Sequence, residues 1–174
     1  MTDMNYNATV SNNRIFLVGF MGVGKTTVGK ALAERLAFQF IDLDDLIESA
    51  AGKTVPQIFS EFGELYFRKL ERAMLQSCLT LKKTVIALGG GAFVAAENQK
   101  LIKEIGRSIW LECPLEIILS RISFDGSRPL ARREDELQKL LTQRQPAYAQ
   151  ADFLVPVGDK SIEQVVDAII NLLN

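Results

Sequence analysis

A chain of 174 residues, 48% of them hydrophobic, can close one sizeable core and is too apolar to remain disordered. Twenty Lys+Arg against 21 Asp+Glu leave a net charge of −1, which excludes a global electrostatic pull toward nucleic acid or an anionic membrane. Histidine is absent, so imidazole is excluded as base or metal ligand, and proton transfer falls to a carboxylate or another group.

Residues 1–13 are polar and Asn-rich and lack the basic start and apolar core of a secretory signal. A flexible extension on a cytoplasmic protein is expected, with residues 14–174 as a single domain. Residues 15–19 (IFLVG) form a short apolar run ending in glycine, a predicted buried strand. A Gly22–Gly24 turn and a helical pattern through Leu36 follow. Residues 38–41 read as a second strand and 43–51 as a helix stopped by Gly52. Thr54 caps a short helix ending near Gly63. A longer helix over 64–80 places Leu65, Leu70, Met74 and Leu75 on or near one face.

Residues 84–88 (TVIAL) are a third strand, closed by Gly89-Gly90-Gly91. A helix over 97–105 and a fourth strand over 107–111 come next, and Pro114 opens a helix to about Ser123. Residues 124–133 mix Gly, Ser, Pro and charges and read as a mobile loop. A helix over 134–148 is expected to break at Pro146. A fifth strand covers 152–155, and Ser161 with Gln164 forms a capping box before the last helix. Cys78 and Cys113 lack CxxC spacing and read as buried small hydrophobes. No apolar run approaches the roughly 18 residues of a membrane span. Alternating helices and apolar strands predict an α/β fold, a parallel sheet covered on both faces.

Gly19 to Thr26 (GFMGVGKT) satisfies GxxxxGK[ST] between a predicted strand and a predicted helix. Glycines let backbone N–H groups turn inward around phosphates, and the helix N-terminus adds partial positive charge. Gly22, Val23, Gly24, Lys25, Thr26 and Thr27 are the expected ATP-binding segment. Lys25 reaches the β- and γ-phosphates, and the Thr26 hydroxyl ligates Mg²⁺. The motif alone does not separate kinases from other nucleoside triphosphatases.

The second strand runs into Asp42-Leu43-Asp44-Asp45. Residues i and i+2 of a strand share a face, so Asp42 and Asp44 can point into one cleft. One can hold Mg²⁺, directly or through water, and the other can take a proton from an acceptor hydroxyl. The alternative is that one of them caps the helix at Leu43 while the other is solvated. Asp45 reads as a helix-start acid. Gly89, Gly90 and Gly91 stand where many nucleoside triphosphatases carry a metal-binding acid, and they let a substrate lie against bare backbone. Arg68, Arg128 and Arg144 have the rigid fork that suits carboxylate or phosphate, yet each alone also fits a solvated surface charge.

Taken together, GFMGVGKTTVGK (19–30), the Asp42/Asp44 pair, GELYFRKLE (63–71), LGGGA (88–92), Arg128-Pro129-Leu130 and Arg144-Gln145-Pro146-Ala147-Tyr148 resemble the shikimate kinase family over almost the whole chain. Ala131 and Ala147 stand where that pattern usually carries leucine. The resemblance implies a three-layer α/β/α P-loop kinase fold, with a five-stranded parallel sheet in the order 2-3-1-4-5 and a mobile lid at about 124–133. It implies transfer of the ATP γ-phosphate to the 3-hydroxyl of shikimate with Mg²⁺, by a monomer. Asp44 would hold shikimate hydroxyls and act as base, with Lys25 and Arg128 stabilising the transferring group. Arg68 and Arg144 would grip the shikimate carboxylate, and Gly90 and Gly91 would contact ring hydroxyls. Asp42 would join Thr26 at the metal. Arg121 would stack on adenine, opposite a wall formed by 157–161.

Other kinases of small molecules on the same scaffold, for gluconate or nucleoside monophosphates, are disfavoured by the triple glycine and the Arg68/Arg144 pair. A nucleotide-binding module without catalysis would not need Lys25, Thr26, Asp42, Asp44 and Arg128 together. A nucleic-acid-dependent ATPase is disfavoured by the charge balance and the missing acid after the third strand.

Overall fold

The computed structural model describes residues 13–122 and 133–174. Apart from Asn13 and Arg133, the expected N-terminal extension and lid lie outside these residues, and so does Arg128. Five strands form one sheet: β1 (Arg14–Val18), β2 (Gln39–Asp42), β3 (Thr84–Ala87), β4 (Arg107–Glu112) and β5 (Phe153–Pro156). All neighbours are parallel and the order is β2-β3-β1-β4-β5, as expected. Phe16 of β1 stands opposite Ile86 of β3 and Ser108 of β4.

β1 and β3 are buried along their whole length, which fits strands covered on both faces. β2 and β5 occupy the edges and are partly exposed. Helices α1 (Lys25–Leu36), α2 (Leu43–Ala51), α3 (Val55–Ser77), α4 (Ala96–Ile105), α5 (Leu115–Arg121), α6 (Glu134–Tyr148) and α7 (Ile162–Leu173) make the outer layers on both sides of the sheet. The Ser161/Gln164 box that opens α7 is present, and Cys78 and Cys113 are both buried.

Two local expectations change, while a third holds: the short and long helices expected on either side of Gly63 are both present within α3 and meet at a kink where Gly63 alone leaves helical geometry (φ 80°, ψ 172°). The buried face of its second half is Phe67, Glu71 and Leu75, while Leu65 is 82% exposed. Leu70 and Met74 pack against the core and Leu75 is fully buried, as expected, so Leu65 alone of the expected face turns to solvent. Pro146 does not break α6. It sits in the last turn, where a missing N–H costs one bond, and fully buried Tyr148 anchors the residues beyond it.

Candidate active site

The site lies beyond the carboxyl ends of β1, β2 and β3, where open parallel sheets gather ligands. Between β1 and α1 the chain turns through Gly22 and Gly24 at φ 78° and 100°, conformations that a side chain would strain. Gly24 is the N-cap of α1 and offers no side-chain cap, so the first-turn N–H groups face the loop. Lys25 Nζ donates to the carbonyls of Gly19 (2.9 Å) and Phe20 (2.8 Å). Gly22, Val23, Gly24, Lys25, Thr26 and Thr27 all line a cavity of about 660 Å³. Arg121, at the end of α5, lines the same cavity and donates to the Gly158 carbonyl at 3.3 Å. Val157 and Lys160 form part of its wall.

Asp42 caps α2, as one of its alternatives had it, and also meets Thr26. One carboxylate oxygen accepts from the Asp44 N–H at 3.1 Å and caps α2, and the other accepts from the Thr26 hydroxyl at 2.7 Å. Asp44 is not on the strand. It lies in the first turn of α2, so the two carboxylates meet through the strand-to-helix turn rather than through strand alternation. Asp45, next in that turn, is exposed.

Asp44 lines the first cavity and a second one of about 340 Å³. Its Oδ1 is buried and has no hydrogen-bond partner. Burial pushes the Asp44 pKa above the ordinary carboxyl value, the Asp42 charge adds to that rise, and Lys25 opposes it.

The second cavity shows why three glycines follow β3. None of them has a left-handed backbone, so their value is close approach. A Cβ at Gly89 would lie 2.8 Å from Asp44 Oδ1. One at Gly90 would lie 3.1 Å from Arg144 Nη1, and one at Gly91 would overlap the Arg68 guanidinium. The sequence suggests room for substrate at this turn; the structure fills much of that room with the chain's own charged groups. Arg68 and Arg144, 76 positions apart, thus converge on adjacent glycines and line one cavity. Arg144 is buried and its guanidinium lies 5.9 Å from the centre of the Phe20 ring.

Glu71 belongs to this cluster and escapes the sequence reading. It is 1% exposed and accepts from Arg68 Nη1 at 3.0 and 2.9 Å, while half-exposed Glu64 takes Arg68 Nε and Nη2. Burial pushes the Glu71 pKa up, and Arg68 draws it back. A signal exists in the sequence: in Phe67, Glu71 and Leu75, spaced four apart, an acid interrupts an apolar row. Phe59 and Phe67, with ring centres 4.7 Å apart, and Val55 give this cavity an apolar wall.

The two cavities therefore meet at Asp44, Gly89 and Gly90. One side offers a glycine loop and a lysine suited to polyphosphate. The other offers two guanidinium groups and an aromatic wall suited to a small organic anion. The carboxylate with an open oxygen stands between them.

A family model described as shikimate kinase matches residues 21–174. A shikimate kinase of Persephonella marina is 45% identical over 157 residues, covering 90% of this chain and 96% of that one. The solved structure of a shikimate kinase from Acinetobacter baumannii in complex with shikimate superposes with a TM-score of 0.89 at 37% identity, covering 93% of each chain. A sugar kinase from Janibacter sp. HTCC2649 reaches 0.62 at 16% identity over 93% of this chain and 94% of that one, a likeness of fold alone. The scaffold is shared beyond any one substrate, but the family match and the 45% relative cover nearly the whole chain: it belongs to the shikimate kinase family.

Proposed function

We propose that this chain transfers the γ-phosphoryl group of ATP to the 3-hydroxyl of shikimate, giving ADP and shikimate 3-phosphate. The observation that carries the reading is the junction of the cavities, where Asp44 has the glycine loop on one side and the Arg68/Arg144 pair on the other. ATP occupies the larger cavity, with its phosphates on the N–H groups of Gly22–Thr27 and on Lys25 and its adenine beside Arg121. The carboxylate of the acceptor lies on Arg68 and Arg144, and Gly90 and Gly91 face its ring.

Phosphoryl transfer depends mainly on alignment and charge neutralisation. Asp44 orients the 3-hydroxyl and accepts its proton as the new O–P bond forms and the bond to the β-phosphate oxygen breaks. A raised pKa suits that task, because it makes Asp44 a stronger base than an ordinary carboxylate. Lys25 offsets charge on the transferring group. Arg128 is assigned the same role from the sequence alone.

Among the described residues no group of three or more His, Cys, Asp or Glu could hold a metal ion by itself. The Thr26 hydroxyl and the Asp42 carboxylate, 2.7 Å apart, are hard oxygen donors of the kind Mg²⁺ takes when phosphates and water complete its shell. Mg²⁺ held there would supply positive charge to the β- and γ-phosphates. No described helix is long and apolar enough to cross a membrane. The reading takes residues 14–174 as one catalytic unit, acting as a monomer in the cytoplasm.

The test is ADP release with Mg-ATP against shikimate, gluconate, several nucleoside monophosphates and no acceptor. Release that depends on shikimate is expected. Equal release without an acceptor, or with gluconate, overturns the assignment. An analogue of shikimate without its carboxylate should be a far poorer acceptor, because buried Arg144 would lose the anion that offsets its charge, while Arg68 would keep Glu64 and Glu71.

A further inference from the structure

Tyr148 is the last residue of α6 and is fully buried, although it carries a hydroxyl. Burying a phenol oxygen is unfavourable unless it is hydrogen-bonded. Here the hydroxyl donates a short bond to the Gly90 carbonyl, 58 positions away in sequence. Arg144, one helical turn earlier, lies close enough for its positive charge to act on the hydroxyl. Burial dominates, and the phenol pKa is pushed up to about 12, so the group stays a neutral donor at physiological pH. The ring packs against Trp110 of β4, with centres 6.0 Å apart. Arg144 Nη1 in turn sits 3.1 Å from the position a Cβ at Gly90 would take. Tyr148 OH, the Gly90 peptide and the Arg144 guanidinium thus form one closed cluster behind the smaller cavity.

We infer that Tyr148 is a positioning residue for the acceptor: its hydroxyl fixes the Gly90 peptide and the Arg144 guanidinium together, so that acceptor binding depends on an oxygen that does not line the cavity. The inference rests on the reading that Arg144 binds the acceptor's carboxylate. Removing the phenol oxygen takes away the bond that holds the Gly90 carbonyl, so the peptide against which Arg144 packs can shift. Tyr148→Phe deletes that oxygen and keeps the ring against Trp110.

The experiment measures KM for shikimate, KM for ATP and kcat for wild type, Tyr148→Phe, Arg144→Ala and the double variant, with a thermal melt of each. Tyr148→Phe should raise KM for shikimate by roughly tenfold, while kcat and KM for ATP change by less than about twofold. In the Arg144→Ala background the same change should matter by less than about twofold, since the guanidinium it holds is gone. A merely structural role would lower the melting temperature and leave the KM values alone, and that result overturns the inference. An equal rise in both backgrounds also overturns it. If Tyr148→Phe has no effect while Arg144→Ala raises KM for shikimate, only the role of Tyr148 is lost. If Arg144→Ala itself leaves that KM unchanged, the acceptor reading falls, and the inference falls with it. Calorimetric titration of shikimate without ATP repeats the comparison in the absence of turnover and should give the same ranking of dissociation constants.

Discussion

Asp44 and Asp152 belong to opposite poles of one sheet, and their surroundings differ in kind. Asp152 lies just before β5, and one of its oxygens accepts from both the N–H and the hydroxyl of Ser108 at 2.8 Å, while its own N–H donates to that hydroxyl at 3.0 Å. Asp44 lies just past β2, with one oxygen buried and unbonded, Asp42 beside it and Glu71 across Gly89. The first carboxylate is exposed to solvent and, through that one oxygen, ties β4 to β5. The second is held incomplete by the fold, at a cost, in the wall of a cavity. An unbonded buried oxygen in a cavity wall is placed to bind a ligand's hydroxyl.

Breaking each carboxylate should separate the two roles. Asp44→Asn is expected to lower kcat by about 10²- to 10⁴-fold with little change in ATP affinity, measured by steady-state kinetics and nucleotide titration. Its effect on stability should run the other way. A carboxyl whose folded pKa is raised binds its proton more tightly in the folded state than in the unfolded one. Its ionisation therefore costs folding free energy as pH rises through the folded pKa, and the cost persists at neutral pH. Removing the charge should leave the melting temperature at pH 7.5 equal to or above that of wild type. Asp152→Ala should do the reverse. Stranding the buried Ser108 N–H costs about 1–3 kcal/mol. At roughly 2–4 °C per kcal/mol for a domain of this size, the melting temperature drops by several degrees while kcat/KM of the folded enzyme is retained. A large loss of kcat in Asp152→Ala would dissolve the contrast.

The glycines sharpen the same comparison. Gly91→Ala places a methyl group within 2.6 Å of Arg68 Nη1, so the guanidinium must move. KM for shikimate should rise about tenfold, with KM for ATP nearly unchanged. An unaltered KM for shikimate would mean that Arg68 does not need its present place.

The smallest expected effect concerns pH. Because Asp44 titrates above the ordinary carboxyl value, the acid limb of kcat/KM should lie above that of a free aspartate, with activity lost as pH falls and the base becomes protonated. Glu48 is one of the charges that push the Asp44 pKa up. Glu48→Gln should therefore move the acid limb to lower pH, by a few tenths of a unit. A limb that stays in place, or moves up, would show that Asp44 is not the group titrating.

Much of this molecule is local and can be read residue by residue. The strand–glycine loop–helix unit at 14–36 is legible from sterics and spacing, since φ 78° and 100° favour glycine and Lys25 and Thr26 follow directly at the helix start. The helix over 43–51 and the box at Ser161 and Gln164 are legible for the same reason: cap and stop lie within a few positions of what they control. The boundary at Gly63 is legible too, because glycine there leaves helical geometry, whereas propensity failed at Pro146, where burial of Tyr148 outweighed the loss of one bond.

The amino-acid sequence by itself thus determined the order of the elements, the phosphate loop and, through resemblance, the chemistry to expect. Only the tertiary structure decided that Asp44 keeps one buried oxygen unbonded in the cavity wall, that Glu71 rather than solvent pairs with Arg68, and that Gly90 joins Tyr148 across 58 positions. The reason is physical. Backbone sterics and the 2.0 and 3.6 residue periods act over one or two turns of chain, whereas the meeting of two distant side chains depends on how all the layers between them pack.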